Sequence, residues 1–178
     1  MSSIVTPYES INNNGARKNA SLLITKSVED GLIHFGHTSL REDQQKIIAA
    51  VMKYHDVMVT MPTGGGKSLC YQLPAFCQPG YAVVISPILS LMEDQTRAMR
   101  DIGVEAVMLN SSQSYDLEQV GILEKLKNCA PHGGIKLLYV TPEKLTKSEN
   151  IRNVLQHSHN TGLLSRFVVD EAHCVATW

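Results

Sequence analysis

The sequence feature that most constrains this chain is an apolar run that leads into three consecutive glycines, a lysine and a serine. The run covers residues 56–61, and the glycines at positions 64–66 precede Lys67 and Ser68. Glycines let the backbone turn so that successive N–H groups face one anion, and a following helix adds its positive dipole end. The lysine supplies a cation and the serine a hydroxyl suited to Mg²⁺. The stretch therefore predicts a strand over 56–61, a phosphate-binding loop and a helix.

The match to the common phosphate-loop pattern is imperfect, because Met61 stands where the first glycine is usual. A glycine-rich hairpin turn with an incidental surface lysine is the plain alternative. The apolar run before the glycines, and Leu69 and Leu73 after them, supply the strand and helix that a phosphate loop needs.

A second cluster favours the nucleotide interpretation. The apolar residues 167–169 predict a strand that ends in two adjacent acids, Asp170 and Glu171. Seen alone, an acidic pair at a strand end is more often a solvated edge. Together with Lys67 and Ser68, it predicts a magnesium–nucleotide site in which Asp170 holds the metal through water. Glu171 is then placed to deprotonate the attacking water, and both clusters are expected to converge on one pocket.

The rest of the chain alternates strands and helices. Apolar runs predict strands over residues 82–86, 105–109 and 136–140, and amphipathic patterns predict helices over 90–102 and about 116–129. Helices of this length between strands require crossover connections, so the fold class is α/β with a parallel sheet covered on both faces. Ligands bind at the carboxyl ends of such strands, where both clusters fall.

The segment before the loop predicts two helices. One starts at Ser27 and is ended by Gly36, and a capping-box pattern from Ser39 to Glu42 opens the second. Gln44 falls in the first turn of the second helix. Its amide can donate and accept at once, and so can read adjacent edge atoms of an adenine. A solvent-facing helix glutamine is the bland alternative.

Two further strand ends carry hydroxyls and helix starts. They contain Ser86, Pro87 and Ser90 in one case, and Thr141 and Pro142 in the other. Helix-start amides and hydroxyls can hold a nucleic-acid phosphate without net positive charge. Ordinary helix caps explain the same residues.

Composition excludes several classes. The chain has 178 residues, 43% of them hydrophobic, and a formal net charge of −1, so any nucleic-acid contact must be a local groove. The chain lacks a secretory signal or an apolar run long enough for a membrane, and is expected to stay inside the cell. The four cysteines predict free thiols, and no zinc site is expected, because His157 and His159 fit a solvated loop or frayed helix. Residues 1–24 predict a disordered tail.

With these residues in hand, the chain resembles the first motor lobe of a RecQ-family DNA helicase, a superfamily-two enzyme with a RecA-like fold. The resemblance covers residues 27–178, and residues 25–178 are the expected ATP-binding domain. It is carried by ordered strings: Phe35-Gly36, Arg41 with Gln44, the run from Met61 to Ala75, Ser86-Pro87 with Ser90 to Gln95, Leu138 to Glu143, and Asp170 to Cys174. Met61 is usual in this family, so the imperfect loop pattern supports the resemblance.

The resemblance implies ATP and Mg²⁺ as cofactors and a role for each matching residue. Gln44 reads adenine with help from Arg41, Glu171 is the catalytic base, and His173 relays the nucleotide state toward DNA. Ser68 and Asp170 hold magnesium, and the expected nucleotide-binding loop residues are Thr63, Gly64, Gly65, Gly66, Lys67 and Ser68. The DNA phosphate contacts are expected at Ser86, Pro87, Ser90, Thr141 and Pro142.

The family also implies 3'-to-5' unwinding of DNA, with single strands and junctions as partners, in recombination and repair. The location is then the nucleus, or the cytoplasm of a prokaryote. His37 and Leu40 depart from residues that are usually aromatic in the family. The family's second RecA-like lobe is missing after Trp178, so this chain is expected to be a truncated part without unwinding activity. The alternatives are a nucleotide- or nucleic-acid-binding module without turnover and an unrelated phosphate-loop kinase.

Overall fold

The computed structural model describes residues 26–62, 64–110 and 117–173. The chain divides into two compact units at the boundary between Cys77 and Gln78. The predictions for the tail at 1–24, for Thr63, for the helix start at Asp116 and for residues 174–178 lie outside the described residues.

The described part of the N-terminal unit contains three helices. Helix α1 covers residues 26–34, α2 is Glu42–Met52 and α3 is Leu69–Cys77. Their apolar faces meet in a core formed by Leu32, Ile48, Met52, Leu69 and Leu73. Gly36, with a φ of 73°, follows α1, which confirms the predicted first helix and its end.

The predicted capping box at Ser39 is wrong. Helix α2 begins at Glu42 with Arg41 as its N-cap, two residues later than the pattern indicated. The cause is Gln44, whose side-chain Oε1 accepts a hydrogen bond from the Arg41 N–H at 3.0 Å. A glutamine three residues after the N-cap satisfies an amide that the helix cannot, so it fixes the helix start.

The predicted strand over residues 56–61 is also wrong. Residues 55–62 are neither helix nor strand, and the Met58 side chain in the middle of the run is 76% exposed. A strand is held by hydrogen bonds to a neighbouring strand. No strand of the described residues pairs with this run, so its apolar pattern alone does not make it part of a sheet.

The described residues of the C-terminal unit form a sheet of four parallel strands. They are β1 Tyr81–Ile85, β2 Ala106–Leu109, β3 Leu137–Val140 and β4 Leu164–Val169, in the order β2-β3-β1-β4. The helices of this unit are α4 Leu89–Asp101, α5 Leu117–Lys127, α6 Pro142–Lys147 and α7 Glu149–Asn160. The structure thus confirms the predicted α/β class with a parallel sheet, and the strands predicted at 82–86, 105–109, 136–140 and 167–169.

Both faces of the central strands are buried. Val83 and Leu138 lie on one face, in a core completed by side chains of α5 and α7, while their neighbours Ala82 and Leu137 lie on the other and are fully buried. Strand β4 is different because it has only β1 as a partner among the described residues. All four strands point the same way, so their carboxyl ends lie at one edge of the sheet.

Candidate nucleotide-binding residues

The loop after Met61 needs its glycines. Gly64 and Gly66 have φ values of 75° and 83°, in the left-handed region that side chains disfavour. The Gly65 N–H donates to the Pro62 carbonyl at 2.9 Å, and a Cβ on Gly65 would lie 2.8 Å from that same oxygen. The three glycines therefore make a tight turn that residues with side chains could not follow without strain.

Lys67 and Ser68 join the loop to helix α3. The Ser68 carbonyl accepts from the N–H groups of Tyr71 and Gln72, which starts the helix. The amides before this point have no partner within the helix and lie at its positive dipole end. The Lys67 ammonium donates to the Met61 carbonyl at 3.2 Å. An ammonium group has three N–H donors, so a phosphate can bind Lys67 while this contact is kept.

Arg41 and Gln44 contact the loop from the start of α2. The Arg41 guanidinium donates through Nη1 to the carbonyls of Gly65 at 3.1 Å and Gly64 at 3.4 Å. Gln44 is only 5% exposed, and its Nε2 donates to the Gly66 carbonyl at 3.3 Å. The sequence predicted base reading for Gln44, and the family resemblance implied it for Arg41, but no spacing signalled these contacts with the glycine carbonyls.

The predicted acidic cluster lies at the carboxyl end of β4. The Asp170 N–H donates to the Ile85 carbonyl at 2.9 Å and so continues the pairing with β1. The Glu171 N–H donates to Asp170 Oδ1 at 3.0 Å, and Glu171 Oε2 lies 3.2 Å from Nδ1 of the exposed His173. The structure therefore groups the predicted metal ligand, base and relay residue. Glu171 has a φ of 53°, which is unusual for a residue with a side chain.

The predicted DNA-contacting residues fall at the same sheet edge but differ in exposure. Thr141 is 3% exposed, and its Oγ1 accepts from the Lys144 N–H, so it is the N-cap of α6 as the plain alternative held. Ser86 is 1% exposed, and its Oγ has no hydrogen-bond partner among the described residues. Pro142 is buried in the first turn of α6, Pro87 is half-buried, and Ser90 is exposed in the first turn of α4.

Other predicted features can be located as well. His157 and His159 lie in the last turn of α7. The described residues contain no group of three or more histidines, cysteines or acids arranged to hold a metal ion. Cys70, Cys77 and Cys129 are free thiols, and burial raises the pKa of Cys70 to about 11. None of the helices in the described ranges has the length and apolar character needed to cross a membrane.

A glycine loop at a helix start, together with an acidic pair at the end of a parallel strand, is typical of nucleotide-hydrolysing lobes. The chain belongs to the DEAD/DEAH box helicase family, whose sequence profile it matches over residues 41–178.

Within that family it is similar to RecQ-type helicases, which confirms the predicted resemblance. It is 45% identical to the RecQ-like DNA helicase blm-1 of Caenorhabditis elegans over 144 residues, 81% of this chain and 14% of that protein. It is 46% identical to the ATP-dependent DNA helicase Q-like 4B of Arabidopsis thaliana over 81% of this chain and 12% of that protein. It is 39% identical to the ATP-dependent DNA helicase RecQ of Haemophilus influenzae over 90% of this chain and 23% of that protein.

Proposed function

We propose that this chain is the nucleotide-binding motor lobe of an ATP-dependent DNA helicase of RecQ type. The family match over residues 41–178 carries the proposal, because it spans both the glycine loop and the acidic strand end. Two of the similar proteins described above are named ATP-dependent DNA helicases. The proposed cofactors are ATP and Mg²⁺, the proposed partner is DNA, including single strands and junctions, and the proposed location in a eukaryote is the nucleus.

The nucleotide chemistry is assigned to residues of the loop and of the strand end. Lys67 and the loop amides bind the phosphates, and Glu171 accepts a proton from the attacking water. Ser68 and Asp170 hold magnesium. A hydroxyl and a carboxylate fit this metal, because Mg²⁺ prefers oxygen ligands. When bound, magnesium neutralises charge that develops on the phosphates. Gln44 and Arg41 contact the adenine.

His173 is the proposed link between nucleotide and DNA. Its Nδ1 lies 3.2 Å from Glu171 Oε2, so a movement of that carboxylate changes its contact with the imidazole directly. The DNA phosphates are proposed to bind near Ser86, Pro87, Ser90, Thr141 and Pro142. Ser90 is the member of this group that can offer an exposed hydroxyl in a helix's first turn, because Ser86 and Thr141 are buried.

The chain spans 12–23% of the length of the three relatives described above, so unwinding belongs to a larger protein. Helicases of this kind take an arginine finger from a second lobe, which accelerates hydrolysis by about a thousandfold to a hundred-thousandfold. We therefore expect the 178-residue chain to bind Mg-ATP but to hydrolyse it very slowly. Movement in the 3'-to-5' direction is part of the proposal for the larger protein.

The test uses a protein extended beyond Trp178 to the length of its relatives. Single-stranded DNA is expected to stimulate ATP hydrolysis. Lys67→Ala is expected to abolish nucleotide binding, whereas Glu171→Gln is expected to retain binding and lose turnover by at least about a hundredfold. A duplex with a 3' single-stranded tail should be unwound, and one with a 5' tail should not.

Matched controls are Lys53→Ala and Glu149→Gln, which remove the same charges from exposed positions at helix ends. Both variants should keep normal hydrolysis. ATP binding without DNA stimulation would favour a binding module over a helicase, and transfer of the phosphoryl group to a small molecule would end the helicase proposal.

A further inference from the structure

Two side chains at the start of α2 hold the phosphate loop by its carbonyl groups. We infer that Arg41 and Gln44 are positioning residues for the loop, and that they set its affinity for the triphosphate whatever base is attached. This inference rests on the proposed function, because it assigns to the same site the residues that shape its backbone. It differs from base recognition, which both residues can perform only when an adenine is present.

The first step is the geometry of the peptide group. A trans peptide is planar, and its C=O and N–H bonds point in opposite directions. Arg41 Nη1 binds the Gly65 carbonyl at 3.1 Å, so the Gly66 N–H of that peptide points away from Arg41. Gln44 Nε2 binds the Gly66 carbonyl at 3.3 Å, so the Lys67 N–H points away from Gln44. Both amides lie within three residues of the start of α3 at Leu69, where a helix N-terminus receives an anion.

The second step is that the Gln44 amide is fixed in one orientation. Its Oε1 accepts from the Arg41 N–H at 3.0 Å while its Nε2 donates to Gly66. The opposite orientation would face a donor with a donor and an acceptor with an acceptor. Gln44 is 5% exposed, and a Cβ on residue 66 would lie 2.3 Å from Nε2. The close approach of this amide therefore requires the glycine at position 66.

The third step is the difference between the two groups. Arg41 is exposed and brings a positive charge to the loop carbonyls, whereas Gln44 is neutral and buried. Losing a neutral hydrogen bond should weaken anion binding about fivefold, and losing a charged one about tenfold or more. Because Arg41 lies on the surface, Arg41→Ala is expected to keep the fold.

Inorganic tripolyphosphate separates loop positioning from base recognition, because it has three phosphates and no base. The 178-residue chain is titrated with the magnesium complexes of tripolyphosphate, ATP and GTP by calorimetry. Gln44→Ala is expected to lower the affinity for tripolyphosphate about fivefold, and Arg41→Ala is expected to lower it about tenfold. Arg41→Lys should recover part of the loss, since it keeps the charge without the planar fork.

The matched control is Gln45→Ala, because Gln45 is the neighbouring glutamine but donates to the Leu40 carbonyl and not to the loop. It should leave tripolyphosphate affinity unchanged. Thermal unfolding of each variant checks that the fold is retained.

If Gln44→Ala and Arg41→Ala lower the affinity for ATP but leave the affinity for tripolyphosphate unchanged, the two residues read the base and the inference is overturned. Lys67→Ala reports separately on the proposed function. If the Lys67→Ala variant binds tripolyphosphate and ATP with the same affinities as the wild-type chain, the proposed phosphate site is wrong and the inference is overturned with it.

Discussion

Tyr54 occupies a left-handed backbone conformation that glycine takes after α1, α4 and α7. After α2, the Tyr54 N–H donates to the Val51 carbonyl at 3.0 Å and the His55 N–H to the Ala50 carbonyl at 3.1 Å. This pair of hydrogen bonds requires a residue with a left-handed backbone conformation, and Tyr54 has a φ of 60°. Gly162 takes the equivalent place after α7 with a φ of 73°. A tyrosine at this position is strained, because its Cβ crowds the backbone.

We predict that Tyr54→Gly raises the free energy of unfolding by about 1 kcal/mol, since relief of the left-handed strain exceeds the entropy that glycine gains when unfolded. Urea unfolding followed by circular dichroism measures the change. Tyr54→Ala is the control, because it removes the 65% exposed ring but keeps the Cβ, and it should not stabilise. Equal stabilisation by both variants would show that the ring, and not the backbone, is the source of the strain.

Cys70 gives a prediction for alkaline pH. Burial raises its pKa from 9.0 to about 11, so the folded state keeps a proton that the unfolded state loses between those values. Stability linked to this thiol is therefore complete below pH 9 and lost as the pH rises toward 11. The free-energy gap between wild type and Cys70→Ala should narrow over this range in urea unfolding. A gap that stays constant from pH 8 to pH 11 would contradict the prediction.

Single residues also show what the sequence could reveal about the candidate site. Lys67, Ser68, Asp170 and Glu171 stand in local motifs whose chemistry is read from residue type and spacing alone. The hold of Arg41 on the glycine carbonyls joins positions 23 and 24 residues apart. Such a contact depends on how α2 packs against the loop, and no local pattern encodes it.

At the scale of secondary structure, β4 is the element whose surroundings are least complete. It pairs with β1 on one side, and no described residue pairs with its other side. Phe167 and Val169 on this strand are 54% and 45% exposed. An apolar strand at the edge of a sheet is a template for pairing with another chain.

We therefore predict that the 178-residue chain self-associates with rising concentration, and that Phe167→Lys suppresses this association because a charge on an edge strand disfavours pairing. Sedimentation velocity at several concentrations measures it. Ile33→Lys serves as the control, because Ile33 is 73% exposed but belongs to helix α1 and not to a strand. If the two substitutions act equally, general surface hydrophobicity explains the association.

The elements also show where sequence patterns fail. The runs that became β1 to β4 are apolar, and each found a parallel neighbour. The run at 56–61 has an apolar centre at residues 57–59, yet it has no such neighbour among the described strands and is not a strand. The start of α2 was misplaced for a related reason, because Ser39 matched a capping pattern while Gln44 capped Arg41. Sequence propensity indicates where an element can form, but contacts with other residues determine whether it forms and where it begins.

At the scale of the whole molecule, the alternation of strands and helices predicted the parallel sheet correctly. Crossover helices leave few other arrangements for strands of this length. The division of the chain at Cys77 and Gln78 into two compact units was not signalled, because no composition shift or flexible linker marks that point. The formal net charge of −1 also agrees with the proposal that DNA binds through local helix starts rather than a broad basic surface.

The strand order has a consequence for how the chain is made. β1 lies between β3 and β4, and β3 begins at Leu137, more than fifty positions after β1 ends at Ile85. A ribosome releases β1 and then β2 before either neighbour of β1 exists, and β3 is the one partner of β2 among the described strands. The sheet therefore cannot grow strand by strand during synthesis. It assembles only after β3 emerges, and until then the apolar β1 has neither of its two neighbouring strands.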